Sequence, residues 1–130
     1  MHSRIRLQAI PEKFAICKLP PKARIPTWAM SGKFWSVTRT ATELSVVCEQ
    51  SRVPSRAAAE RNWRILQVVG PLPFEMVGVL SSLTSPLAKG GLSIFAISTF
   101  ETDLLLVREE SLEKACRILE KAGHMVFGCQ

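Results

Sequence analysis

No apolar run in these 130 residues approaches the 18 or so that a membrane-spanning helix needs. The first residues, Met1-His2-Ser3-Arg4-Ile5-Arg6-Leu7, carry charge but no apolar stretch of signal-peptide length. The two absences together predict no membrane contact and a cytoplasmic location. Histidine occurs only twice, and the four cysteines, at 17, 48, 116 and 129, form no C-x-x-C pair. That arithmetic speaks against a zinc site and for reduced, mostly buried thiols. Gly70, Gly78, Gly90 and Gly91 make neither G-x-G-x-x-G nor a phosphate-binding loop, so no cofactor is expected. Ser93, Ser98 and Thr99 are nucleophile types without a G-x-S-x-G context, and His124 has no catalytic partner in view. No catalytic residue is assigned on these grounds. A small hydrolytic or acyltransferase-like enzyme would need a triad that is not found.

The net charge of +6 raises the question of an acidic partner such as nucleic acid. The excess is scattered over Arg4, Arg6, Lys13, Lys18, Lys22, Arg24, Lys33 and Arg39, with no basic run and no RNP-like motif. A solvated basic surface accounts for it, and nucleic-acid binding is not expected. A hydrophobic content of 47% is enough for a core in one ordinary domain, or in two very small subdomains.

Taken in order, Ile5 and Leu7 alternate with Arg4 and Arg6 as a short edge strand, and residues 14–19 form a second strand closed by Pro20-Pro21. Prolines break up the next stretch, so only one turn is expected, at 27–30. Residues 34–38 and 44–48 read as strands, 57–61 as at most a short helix, and 63–69 as a strand stopped by Gly70-Pro71. From Glu75 the period changes: Met76, Val79, Leu80, Leu83 and Leu87 define a helical face. Pro86 removes the bond to the carbonyl of Ser82 and should bend or shorten that helix. Leu112, Ala115, Cys116, Leu119 and Ala122 give a cleaner amphipathic helix, which Gly123 stops before a last strand at 124–127.

Between the two helices lies the most informative stretch. Gly90-Gly91 closes the first helix, 93–98 and 104–107 are apolar runs, and Thr99-Phe100-Glu101-Thr102-Asp103 forms a polar tip. A hairpin flanked by helices and strands gives β-α-β-β-α-β, the ferredoxin-like plan. Residues 34–47 lie over 94–107 without a gap, matching Thr42 to Thr102, Leu44 to Leu104 and Val47 to Val107. That correspondence predicts two equivalent hairpins and hence two tandem units.

Residues 93–107, Ser-Ile-Phe-Ala-Ile-Ser-Thr-Phe-Glu-Thr-Asp-Leu-Leu-Leu-Val, resemble the hallmark segment of tandem ACT-domain proteins of the CASTOR group, which includes the cytosolic arginine sensors. Lys33-Phe34-Trp35-Ser36-Val37-Thr38 and Pro86-Leu87-Ala88 also fit, so the likeness extends over about residues 13–127. The resemblance implies an α+β fold of two tandem ferredoxin-like, ACT-type βαββαβ units, the first with reduced helices. The expected units are residues 1–62 and 63–130.

The resemblance further implies a non-enzymatic regulatory protein that binds an amino-acid-type small molecule where two domains or two protomers meet. Ser93 and Ile94 correspond to the effector-contacting pair of the arginine sensors. Gly78 and the loop from Gly70 to Glu75 would form the opposing wall. The sensors hold four ACT domains in one chain; half that number here points to a homodimer. Thr99, Phe100, Glu101 and Asp103 resemble the loop through which the sensor engages a protein partner. The competing reading is a protein-interaction or nucleic-acid-binding module with no metabolite.

Overall fold

A computed structural model describes residues 4–72 and 76–129. Its order is β1 (Arg6–Ala9), β2 (Phe14–Leu19), a 3-10 turn at Thr27–Met30, β3 (Ser36–Arg39), β4 (Leu44–Glu49), a second 3-10 turn at Gln50–Arg52, and β5 (Ala59–Val68). There follow α1 (Val79–Lys89), β6 (Ile94–Ser98), β7 (Asp103–Arg108), a third 3-10 turn at Glu109–Ser111, α2 (Leu112–Lys121) and β8 (Met125–Phe127). The fold is α+β. It divides into two compact units, Glu12–Trp63 and a larger one made of Met1–Pro11 with Arg64–Gln130. The break after Trp63 lies one residue from the expected one. Residues 1–11 join the second unit instead of the first, because β1 pairs antiparallel with β5 (Leu7 opposite Val68) and parallel with β8 (Leu7 opposite Val126).

In the Glu12–Trp63 unit β2 is flanked by β4 and by the start of β5, and β3 pairs with β4 at the edge. The 57–61 segment departs from the sequence reading. A turn closed by Ala57 N–H on the Pro54 carbonyl (3.0 Å) leads directly into β5, where Ala59 faces Cys17. The helix propensity of the alanine run yields to ladder bonds that a neighbouring strand supplies. The core is small: Ala15, Cys17, Ala29, Val46, Cys48 and Val53. The two thiols lie on one face of neighbouring strands, and Cys48 hydrogen-bonds to the Cys17 sulfur. That bond lowers the pKa of Cys17, against its burial and helped by the charge of Arg61. It raises that of Cys48.

In the larger unit α1 buries Val79, Leu83 and Leu87, spaced four apart, and α2 buries Leu112, Ala115, Cys116 and Leu119. Both stripes join Leu7, Leu66, Val68, Leu105 and Val107 in one core. α1 starts at Val79, not near Glu75, so Met76 stands outside it, 40% exposed. Gly78 ends the helix on its N-terminal side with φ of 84°. The helix runs through Pro86 to Lys89 and does not end early. His124 explains how. Its Nε2 lies 3.2 Å from the Ser82 carbonyl oxygen, the acceptor Pro86 cannot serve, and its Nδ1 accepts the Ile5 N–H at 3.1 Å. Since a carbonyl only accepts, Nε2 carries the proton.

Two expectations about cysteine and the repeat change. Cys116 and Cys129 form a disulfide, so only Cys17 and Cys48 are free thiols. Gly123, with φ of 102°, turns the chain so that β8 carries residue 129 back to α2. The two hairpins do have the same turn, but one residue out of the gapless register. Thr40 N–H bonds the Glu43 carbonyl (2.9 Å) as Thr99 N–H bonds that of Thr102 (2.8 Å). Each threonine Oγ1 also accepts a later loop N–H. Arg39 opposite Leu44 thus corresponds to Ser98 opposite Asp103, an offset of 59 rather than 60. The 3-10 turns at 50–52 and 109–111 keep that offset.

Candidate functional site

An open cleft of ≈ 360 Å³ lies in the larger unit between the start of α1 and the tip of the β6–β7 hairpin. Its size suits a small metabolite. One wall is Gly78, Val79, Leu80 and Ser81. The first bond inside α1 runs from Ser82 N–H to the Gly78 carbonyl (2.9 Å), so the amides of Val79, Leu80 and Ser81 precede the helical ladder. No side chain caps this end among the described residues, and its first turn holds no acid. The wall therefore offers N–H donors and the positive end of the helix dipole. A side chain at Gly78 would meet nothing within 4 Å, so the space there is open, although its positive φ disfavours any other residue.

The opposite wall is Ser98, Thr99, Phe100, Glu101, Thr102 and Asp103. It is held from both sides. Thr102 Oγ1 donates to the Val68 carbonyl (2.8 Å), and Leu72 N–H donates to the Glu101 carbonyl (2.9 Å). Ser98 Oγ donates to Asp103 Oδ1 at 2.6 Å. The wall opposite the start of α1 thus carries two acidic residues, Glu101 and Asp103. Leu72, Met76 and Leu80 supply apolar surface.

The fold brings together residues that the sequence assigned to different tasks. Gly78, expected to touch ligand, shares the cleft with Thr99, Phe100, Glu101 and Asp103, expected to touch a protein partner. Gly70 does not line it but sits behind the hairpin tip: a Cβ there would lie 3.3 Å from the Glu101 carbonyl oxygen. Ser93 and Ile94 do not line it either. Ile94 opens β6 at its other end, about 13 Å of strand from Ser98, and Ser93 precedes it. Glu75 lies outside the described residues. Ser81 and Leu80 were missed as site residues, although their place just after Gly78 was the available signal.

A family model described as an ACT domain matches residues 58–121, and a second, described only as an N-terminal domain, matches 12–56. Residues 58–121 are an ACT domain. The ACT-domain chain is 39% identical to a protein of Agrobacterium tumefaciens with a crystal structure, at a TM-score of 0.92, over 97% of this chain and 94% of that one. Human CASTOR3P is 29% identical over 93 residues, which are 62% of this chain and 57% of that protein. The human cytosolic arginine sensor for mTORC1, subunit 1, is 33% identical over 60 residues, 45% of this chain and 18% of the sensor. The ACT-domain chain therefore spans little more than half the first of these curated relatives and much less of the second. The ligand-free regulatory subunit of aspartate kinase from Thermus thermophilus shares the fold, with a TM-score of 0.63 at 12% identity over 90% of this chain and 96% of that one.

Proposed function

We propose that this protein is a non-catalytic regulatory module that binds a free amino acid in the cleft between α1 and the β6–β7 hairpin. One observation carries the reading: one cleft is lined by an uncapped helix start on one wall and by two acidic residues on the other. Uncapped amides at the start of α1 suit an α-carboxylate, and Glu101 and Asp103 suit an ammonium group. Binding fits these groups better than catalysis does. Ser98 is committed to Asp103, and the buried His124 is committed to Ile5 and Ser82. Relatedness to the arginine sensor supports amino-acid sensing. The shared hairpin turn supports a tandem reading in which Glu12–Trp63 is a second, helix-poor ACT-like unit.

A second copy of the chain completes the site in this proposal. Among the described residues β6 pairs with β7 alone, and its sequence Ile-Phe-Ala-Ile-Ser has no charge or proline to blunt the free edge. Antiparallel pairing of β6 with the β6 of a second copy, centred on Ala96, sets Ile94 of one opposite Ser98 of the other. Ser93 and Ile94 of the second copy would then reach the mouth of the cleft. Their backbone groups would join Gly78 in enclosing the ligand.

Phe100, 79% exposed, and Val77, 94% exposed, favour a further role for the same rim as a protein contact. A ligand in the cleft would alter that contact by fixing the hairpin tip. A thermal-shift screen against the twenty amino acids tests the proposal. Ligand at 100 times its Kd adds about 2.7 kcal/mol to the native state, a shift of several degrees on a chain this small. Ser81→Trp should fill the cleft and remove the shift without the positive-φ strain of a change at Gly78. A shift that survives in folded Ser81→Trp would move the ligand elsewhere.

A further inference from the structure

The charge of this protein is concentrated in one of its units. Glu12–Trp63 holds nine Lys and Arg against four Glu, a net +5 of the +6, which leaves +1 for the rest of the chain. Within that unit lies a separate pocket of ≈ 360 Å³, with Pro20, Pro26, Pro54 and Trp28 as walls and Lys18 and Arg56 among its lining residues. No acidic residue lines it among the described residues. Lys18 and Arg56 are both exposed, and neither has a carboxylate within ion-pair distance among the described residues.

The walls are set in place before any ligand arrives. Three proline rings fix the local backbone. Each wall segment is closed by a turn bond: Ala23 N–H to the Pro20 carbonyl (3.0 Å), Ala29 N–H to Pro26 (3.1 Å) and Ala57 N–H to Pro54 (3.0 Å). Arg39 ties the first segment down from outside through the carbonyls of Pro21 and Ala23. The half-buried Trp28 indole packs against the core of the unit. A preformed apolar slot with an indole wall and two cations without acidic partners matches a flat anion.

We infer that this pocket is a second ligand site, specific for a small carboxylate carrying a flat apolar or aromatic body. The body lies along Trp28 and the prolines, and the carboxylate is paired by Lys18 and Arg56. The inference is independent of the cleft beside α1, which lies in the other unit.

Titration of the 15N-labelled full chain with sodium benzoate tests it, with benzyl alcohol as the uncharged control and inorganic phosphate as the control without a ring. Benzoate should move the amides of residues 18–19 and 56–58 and the Trp28 indole N–H saturably, the indole being assigned by its loss in Trp28→Phe. Both controls should bind several-fold more weakly. Lys18→Glu combined with Arg56→Glu should weaken benzoate about tenfold while leaving a folded spectrum, since both exposed cations that pair the carboxylate are then reversed in sign. Shifts scattered over the basic surface, equal binding of benzyl alcohol or phosphate, or unchanged affinity in the folded double variant would each overturn the inference.

Discussion

His124 Nε2 stands 3.2 Å from the Ser82 carbonyl oxygen, the acceptor in α1 that Pro86 deprives of its ordinary donor. A histidine 42 residues away therefore replaces a backbone amide, and its other nitrogen holds Ile5 at the start of the first strand. His124→Phe would leave both groups unserved and should cost about 2–4 kcal/mol in urea unfolding. Pro86→Ala restores the missing N–H. In that background the cost of His124→Phe should fall by about 1 kcal/mol, a coupling that a double-mutant cycle reads directly.

The disulfide gives a thiol count. Denatured without reductant, the protein should show two titratable thiols, Cys17 and Cys48, and four after reduction. Native protein should react slowly at both free thiols, since both are buried. Cys129→Ser should lower stability by about 3 kcal/mol on the loop-entropy estimate for a bridge of this span. Four thiols in the unreduced sample would show that the bridge does not form.

How much of this was legible in the sequence depends on where the deciding information lay. α2 was plain because Leu112, Ala115, Cys116 and Leu119 repeat at helical spacing and all four are buried. The start of α1 was misread because Met76 continues the apolar period, while the positive φ of Gly78 breaks the helix without altering that pattern. The 57–61 run was misread because its partner strand, β2, is about forty residues away. The hairpin repeat was visible, but side-chain likeness at Leu44 and Leu104 set it one residue off the turn that Thr40 and Thr99 share. The cysteine pairing was hidden in a thirteen-residue separation that only the return of β8 closes. At the site, Gly78 and the 99–103 loop were both singled out, yet their meeting in one cleft depends on how α1 crosses the sheet.

The carboxylate wall should be measurable by charge. Glu101→Gln and Asp103→Asn should each reduce affinity for a bound amino acid several-fold, and the pair about tenfold, with the loss smaller at high salt. Asp103→Asn should also loosen the hairpin tip, because Ser98 Oγ donates to that carboxylate. Calorimetric titration at two salt concentrations separates the effects.

The edge of β6 is the place to break the proposed dimer. Ala96→Lys puts two like charges opposite each other in pairing centred on that residue and blunts the edge. Sedimentation should show a dimer for the parent protein and a monomer for the variant, with the same circular dichroism. Ligand affinity should fall together with dimerisation if Ser93 and Ile94 of the second copy enclose the site.

The zwitterion requirement is the most direct test of the opposed walls. Calorimetry should compare whichever of the twenty amino acids gives the largest thermal shift with its decarboxylated amine and its deaminated acid. The amino acid should bind, and each analogue should bind at least about tenfold more weakly, because each leaves one charged wall unmatched. Equal binding of either analogue, or no binding by any of the twenty at millimolar concentration, would contradict amino-acid recognition in this cleft.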